Sequence, residues 1–144
     1  MGLQPEYGEK ILREMFMDED CEFYRFIKQG SDDTHAARGT LGASAIGVTL
    51  KPEEQTTMVD GFPVKRTKWL EGETPEGQRT GIAFIELGNT VLAGQKLQSD
   101  ATGRGIPTTM GTTPSSVELE GVNGEAVEGG HVGDFIRIDL DRRG

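Results

Sequence analysis

The chain has few of the residues that carry out chemistry. It contains one cysteine, Cys21, and two histidines, His35 and His131, among 144 residues. A single cysteine excludes an internal disulfide and favours a reducing compartment for folding. Three such residues, spread this widely, do not provide the ligand cluster of a zinc site. Cys21 lies in no familiar nucleophile motif, and a pair of Cys21 with a histidine brought near by the fold stays open as a minor alternative.

Long apolar runs are also missing. Hydrophobic residues make up 34% of the chain and aromatic residues only 6%, which is enough for one domain with one modest core. No run approaches the roughly 18 residues of a membrane span, and no basic and then apolar leader follows Met1. We therefore expect a soluble protein that is synthesised in the cytoplasm.

Positive charge is scarce, because the formal net charge is −9 and the longest basic cluster is Lys65 and Arg66 with Lys68 nearby. A surface of this charge repels a phosphate backbone and an anionic bilayer alike. We expect no direct nucleic-acid partner and no membrane partner.

The remaining site motifs are absent as well. The glycine-rich stretches lack the G-x-x-x-x-G-K-[ST] order of a phosphate-binding loop, and the acidic residues do not follow the calcium-loop pattern. The sequence therefore predicts no catalytic residue, no cofactor and no metal ligand. One enzyme alternative stays open, in which Asp100, Arg104 and Glu125 converge on a pocket at a subunit interface.

Glycine is abundant, with 21 residues, about twice the usual 7%. From residue 81 to 140 these glycines separate apolar segments of four to seven residues, which is typical of an all-β domain with tight turns. Asp100 with Gly103 predicts a hairpin turn. Residues 82–87 (IAFIEL) predict a central strand, and residues 135–140 predict an edge or barrel strand. We expect a small glycine-rich β-barrel or β-clip-like domain with a short N-terminal arm, helical or extended.

The N-terminal arm, residues 1–20, differs from the rest of the chain. Its apolar residues have helical spacing. It can pack on its own domain, dock on a partner or stay unfolded, because a helix this short is marginal alone. The first candidate contacts with a partner are Tyr7, Ile11, Leu12, Met15 and Phe16.

Residues 21–144 are predicted to form a single β domain with an irregular excursion at about 51–79. Within it a hairpin is expected around Asp60 and Gly61, with Pro63 limiting the second strand to a sheet edge. An exposed tryptophan next to arginine is a common interface anchor. The second candidate contacts are Phe62, Lys65, Arg66, Lys68 and Trp69.

The order of several short motifs resembles the head decoration, or capsid cement, proteins of tailed bacteriophages. The chain runs from TVLAGQKLQSDATGRGIP to VNGEAVEGGHVGDFIRIDL, and residues 21–50 match more loosely through FYRFIKQG and AIGVTL. The matching residues are Ala93, Gly94, Leu97, Ser99, Asp100, Gly103, Arg104, Gly124, Ala126, Glu128, Gly133, Asp134, Ile138 and Leu140.

The resemblance implies a structural protein on the capsid exterior of a virion. Such a protein binds major capsid protein, commonly as a homotrimer, and stabilises the capsid by bridging neighbouring capsid subunits. Other phage components, such as a fibre base or a baseplate part, are alternatives. A small β-clip-like enzyme and a cellular β-module that binds protein also stay open.

Overall fold

The computed structural model describes residues 10–11, 15–52, 56–108 and 122–142. Every regular element in these ranges is a β-strand, which confirms the predicted all-β class. Within the described ranges there is no helix that could cross a membrane. The strands are β1 (Lys10–Ile11), β2 (Phe16–Met17), β3 (Cys21–Glu22), β4 (Phe26–Gln29), β5 (His35–Arg38), β6 (Gly47–Thr49), β7 (Thr56–Val59), β8 (Phe62–Lys65), β9 (Lys68–Trp69), β10 (Gly77–Gln78), β11 (Ile82–Glu86), β12 (Lys96–Ser99), β13 (Gly105–Pro107), β14 (Gly124–Ala126) and β15 (Phe135–Asp139).

The C-terminal half forms an antiparallel five-stranded sheet in the order β11-β15-β14-β12-β13. Ile85 lies opposite Ile136, and Ala83 lies opposite Ile138. Because side chains alternate between the two faces of a strand, these four share one face, and all four are buried. They form the centre of the first hydrophobic core.

The hairpin turn predicted from Asp100 and Gly103 is confirmed. It joins β12 to β13, with Ser99 opposite Gly105. The Asp100 carboxylate accepts a hydrogen bond from the Thr102 amide at 2.8 Å, and Gly103 has a φ of 87°. Residues other than glycine rarely adopt that backbone conformation.

The predicted central position of residues 82–87 is wrong, because strand β11 lies at an edge of the sheet. Residues 135–140, predicted as an edge or barrel strand, form β15, which lies inside the sheet between β11 and β14 and is therefore not an edge strand. Strand β11 is apolar on both faces because Ile85 faces the first core while Phe84 packs on a second cluster and contacts the Tyr24 ring. The apolar pattern of β11 therefore shows that both faces of the strand are covered by other side chains. It does not show how many strands lie beside β11 in the sheet.

The other large sheet has six strands, in the order β1-β10-β6-β4-β5-β2. Phe26 and Val48 extend from it into the first core. Ile27, the residue after Phe26, belongs to the second cluster, which also holds Trp69 and Cys21 from the β3–β9 pair. This sheet therefore has apolar residues buried on both of its faces.

The N-terminal arm, predicted to be helical or extended, is extended at residues 10–11 and 16–17, so the helical alternative is wrong there. The Phe16 amide donates to the Thr34 carbonyl and the Asp18 amide donates to the Ala36 carbonyl, each at 2.8 Å. These bonds pair β2 in parallel with β5. An open sheet edge satisfies the backbone of the arm better than a short isolated helix does.

The short connection between strands β1 and β2 of the arm also requires the six-stranded sheet to curl. Its strands β1 and β2 are the two outermost strands, and in a flat sheet they would lie about 24 Å apart at about 4.8 Å per strand. The chain from Ile11 to Phe16 spans at most about 17 Å when fully extended. The two edges must therefore approach each other, in agreement with the curled half-barrel form of the fold.

Candidate interaction surface

Within a single chain the three residues of the enzyme alternative, Asp100, Arg104 and Glu125, do not converge. Asp100 and Arg104 form an ion pair within one turn, with 3.1 Å between Oδ2 and Nε. Glu125 lies opposite Lys96 at the other end of β12 and binds it at 2.9 Å. Four residues of strand separate the two pairs, which corresponds to about 13 Å. In the part of the chain that the structure describes, no three His, Cys, Asp or Glu side chains form a metal-binding group.

Cys21 is poorly suited to nucleophilic chemistry. Its side chain is fully buried, and burial raises the pKa of the thiol to about 12, with a further contribution from the charge of Glu22. The thiolate is the reactive form. A thiol with this pKa stays protonated at neutral pH, so the Cys21–histidine alternative gains no support.

A β-hairpin lies within the predicted excursion at about residues 51–79. Strands β7 and β8 pair antiparallel, with Val59 opposite Phe62. The two residues between them, Asp60 and Gly61, have φ angles of 51° and 83°. Two successive residues with positive φ define the type I′ turn that fits the twist of a two-residue hairpin. The hairpin expected around these two residues is confirmed.

This hairpin exposes apolar side chains on both faces. Phe62 is 71% exposed, Met58 64% and Val64 44%. Phe62 and Val64 share one face, while Met58 and Pro63, which are opposite each other, lie on the other. Within the described residues no further strand joins this pair. A contiguous patch of exposed apolar side chains often marks a binding site, whereas single exposed apolar residues are common and have no such meaning.

The prediction that Trp69 is exposed is wrong. Its side chain is buried in the second cluster, where it meets the Phe23 ring edge-on at 6.1 Å between centroids. Its indole N–H donates to the Leu50 carbonyl at 2.8 Å. A tryptophan is buried readily when its one polar group finds an acceptor. Trp69 therefore fixes the base of the hairpin to the domain.

Two of the three predicted basic contacts are occupied within the chain. Arg66 binds Glu73 at 2.7 Å and stacks on the Trp69 ring at 4.9 Å. Lys68 binds Asp20 at 3.1 Å. Asp20 also accepts the Glu71 amide, and these interactions lower the pKa of its carboxyl. Lys65, at the end of β8, is exposed.

The candidate contacts in the arm are spread over different environments. Phe16 is half-exposed and its ring lies 6.0 Å from that of His35. Met15 packs partly against the second cluster. Ile11 lies in β1, while Tyr7 and Leu12 fall outside the described residues.

Met58 and Val64 belong to the exposed patch but are absent from the predicted contacts. The sequence contained the information needed to predict them. An Asp-Gly turn determines which residues of the two strands lie opposite each other, and so which side chains share a face of the hairpin. Sequence alone does not show that the domain leaves both faces of the hairpin uncovered.

Comparison with known proteins bears on the fold. No family model matches the chain, and no curated protein sequence matches it. Among solved structures, it is similar to the head fibre gp8.5 N base of bacteriophage phi29, with a TM-score of 0.62 and 16% identity over 90% of this chain and 92% of that chain. At this identity the likeness is one of fold. The two molecules share one architecture over almost their whole lengths.

Proposed function

We propose that this chain is a structural protein of a tailed-bacteriophage particle that binds the outer surface of the head. The observation that carries the proposal is the likeness of fold to a head fibre base over about nine-tenths of both chains. The motif order of residues 81–140 resembles the capsid cement proteins and supports the same location. Decoration proteins and fibre bases both require a compact β scaffold that docks on a repeating shell.

Within this role we propose that the chain bridges neighbouring major capsid subunits and stabilises the shell. Many weak contacts add up when copies repeat over a shell. The face of the hairpin that carries Phe62 and Val64 is the proposed contact with the capsid, because these side chains are exposed and have no role in the domain's own core. Phe16 on the arm is the second proposed contact.

A fibre base is the second candidate function, and the phi29 neighbour favours it. A base would anchor a projecting fibre, whereas a cement protein would act on the shell itself. Electron microscopy of particles labelled through this chain distinguishes them, because only a base lies at the foot of each fibre.

The test of head binding uses expanded heads from the encoding phage that lack this chain. We expect added protein to sediment with the heads and to raise their disruption temperature. Phe62→Ser is expected to weaken sedimentation at least tenfold, while Leu92→Ser, which removes a similarly exposed apolar side chain elsewhere, leaves it unchanged. Absence of wild-type binding would overturn the proposal. Binding without a change in disruption temperature would favour the fibre base.

A further inference from the structure

The chain has two asparagines, and only Asn123 is followed by glycine. In an Asn-Gly pair the glycine nitrogen attacks the side-chain carbonyl carbon readily, because glycine has no side chain to hinder the approach. The new C–N bond closes a five-membered succinimide ring, and the side-chain amide leaves as ammonia. Water then opens the ring to aspartate or isoaspartate. By its sequence, Asn123 is therefore the asparagine of this chain that is most prone to deamidation.

The fold holds Asn123 in a conformation that prevents this attack. The residue is 2% exposed. Its Oδ1 accepts the Ala45 amide at 2.9 Å, and its Nδ2 donates to the Ala43 carbonyl at 3.0 Å. The glycine that follows, Gly124, begins β14, and a Cβ added there would lie 3.1 Å from the Asp139 carbonyl oxygen. Both side-chain bonds must break before the side chain can turn onto the Gly124 nitrogen and before water can enter.

The segment that covers Asn123 lies at the surface. Ala43 and Ala45 belong to the connection between β5 and β6, residues 39–46, which lies outside the regular strands. Within it Leu41 is 67% exposed, and the Gly42 amide donates to the Ser99 carbonyl at 3.1 Å. Exposed connections open locally at a lower free energy than core strands do. This connection can therefore lift from Asn123 while both sheets stay folded.

We propose that Asn123 is a deamidation site and that opening of the 39–46 connection gates its reaction. Aspartate at this position places a carboxylate oxygen where Nδ2 donates to the Ala43 carbonyl, so two acceptors face each other. Isoaspartate also adds one carbon to the backbone directly before β14, where Gly124 lies opposite Leu97. Neither product restores the original contact. The reaction thus makes a transient opening permanent and limits the lifetime of the folded chain.

The proposal does not depend on a role in a phage head, and it is tested with the purified chain. Native chain and chain unfolded in guanidinium chloride are incubated in the same mildly alkaline buffer, and peptide mass spectrometry follows the one-dalton gain at each asparagine. Conversion of Asn123 is expected to be at least about tenfold slower in the native chain. Asn89, which is exposed and precedes threonine, is the internal reference and changes little in either state. Equal rates for Asn123 in both states would overturn the protection.

Two glycine variants test whether the gate is local. Gly42 lies in the connection and Gly133 in the turn before β15, with φ angles of 72° and 89°, so alanine strains the backbone at both. The nearest listed atom to an added Cβ is Gln98 Oε1 at 3.8 Å from Gly42, and nothing lies within 4 Å at Gly133. Gly42→Ala is expected to speed native deamidation of Asn123 about tenfold, whereas Gly133→Ala leaves it unchanged. Equal rates for the two variants would overturn the local gate.

Aspartate variants test whether the product prevents closure. Asn123→Asp is expected to unfold at a lower urea concentration than the wild type, because the carboxylate faces the Ala43 carbonyl. Asn89→Asp is the matched control, since it makes the same change of charge at an exposed position, and it is expected to keep the wild-type midpoint. A wild-type midpoint for Asn123→Asp would show that the fold tolerates the product, and it would overturn the permanent opening.

Discussion

The amide of Phe26 donates a hydrogen bond to the carbonyl of Gly103 at 2.7 Å. Phe26 begins β4 of the six-stranded sheet, and Gly103 lies in the turn between β12 and β13 of the other sheet. The Arg25 guanidinium adds a bond to the Thr102 carbonyl in the same turn at 2.9 Å. The turn thus joins the two sheets in addition to reversing the chain.

Gly103→Ala is expected to destabilise the protein more than Gly94→Ala. Both glycines have positive φ, 87° and 86°, so each alanine carries a backbone strain of about 1–2 kcal/mol. A Cβ at Gly103 would also lie 2.9 Å from the Phe26 carbonyl oxygen, whereas one at Gly94 meets nothing within 4 Å. We expect about 1–2 kcal/mol of further loss at Gly103. Urea unfolding measures the difference, and equal losses would show that the sheet contact is unimportant.

Arg25→Met is expected to cost about 2–3 kcal/mol of unfolding free energy. Arg25 is buried and binds Glu86 at 3.2 Å as well as the Thr102 carbonyl. Its removal leaves the partly buried Thr102 carbonyl without that donor and the Glu86 carboxylate without its close cation. Arg38→Met is the control: Arg38 is more exposed, and its ion pairs with Glu22 and Glu19 are longer, at 3.6 and 3.8 Å, so its loss should cost less than about 1 kcal/mol. A smaller loss for Arg25→Met than for the control would refute this account.

Local chemistry explains what the sequence predicts well. The predictions of turns at Asp100 and at Asp60 are both correct, because a few neighbouring residues determine the backbone conformation there. Asp100 bonds the Thr102 amide and Gly103 supplies the positive φ. These preferences hold whatever the rest of the chain does.

Long-range pairing explains what the sequence predicts badly. Strand β11 lies at a sheet edge and not in the expected central place, because apolar alternation does not record how many strands lie beside a given one. The arm residues Phe16 and Met17 form a strand because β5, some twenty residues later, offers them an edge. Trp69 is buried because the distant Leu50 carbonyl accepts its N–H.

The pKa of His35 is expected to lie above its ordinary value of 6.5. Its ring Nδ1–H donates a hydrogen bond to the Asp32 carboxylate at 2.7 Å, and this bond and the charge of the carboxylate favour the imidazolium. The same bond, with those from Thr34, lowers the pKa of Asp32 to about 2. A raised folded pKa stabilises the protein fully below pH 6.5, and this contribution is lost as the pH rises through the folded pKa. NMR titration of the His35 ring measures it.

Asp32→Asn is the matched variant for that titration. The amide keeps the size of the side chain but removes the charge, so the His35 pKa should fall back towards 6.5. His131→Gln assigns the resonances, because the chain has only two histidines. A His35 pKa that does not change in Asp32→Asn would show that the pair does not form in solution.

Trp69 and Phe62 are close in sequence but differ in role. Trp69 stabilises the fold, and Phe62 is exposed and free to bind a partner. Trp69→Phe removes the bond to the buried Leu50 carbonyl and the indole face on which Arg66 stacks, and it should cost about 1–3 kcal/mol. Phe62→Ser alters a side chain that is mostly in solvent and should change stability by less than about 0.5 kcal/mol. Circular dichroism during urea unfolding compares the two, since Trp69→Phe removes the only tryptophan. If Phe62→Ser destabilised the chain as much as Trp69→Phe, the exposed face of the hairpin would belong to the domain's own packing, and Phe62 would no longer be a candidate contact with a partner.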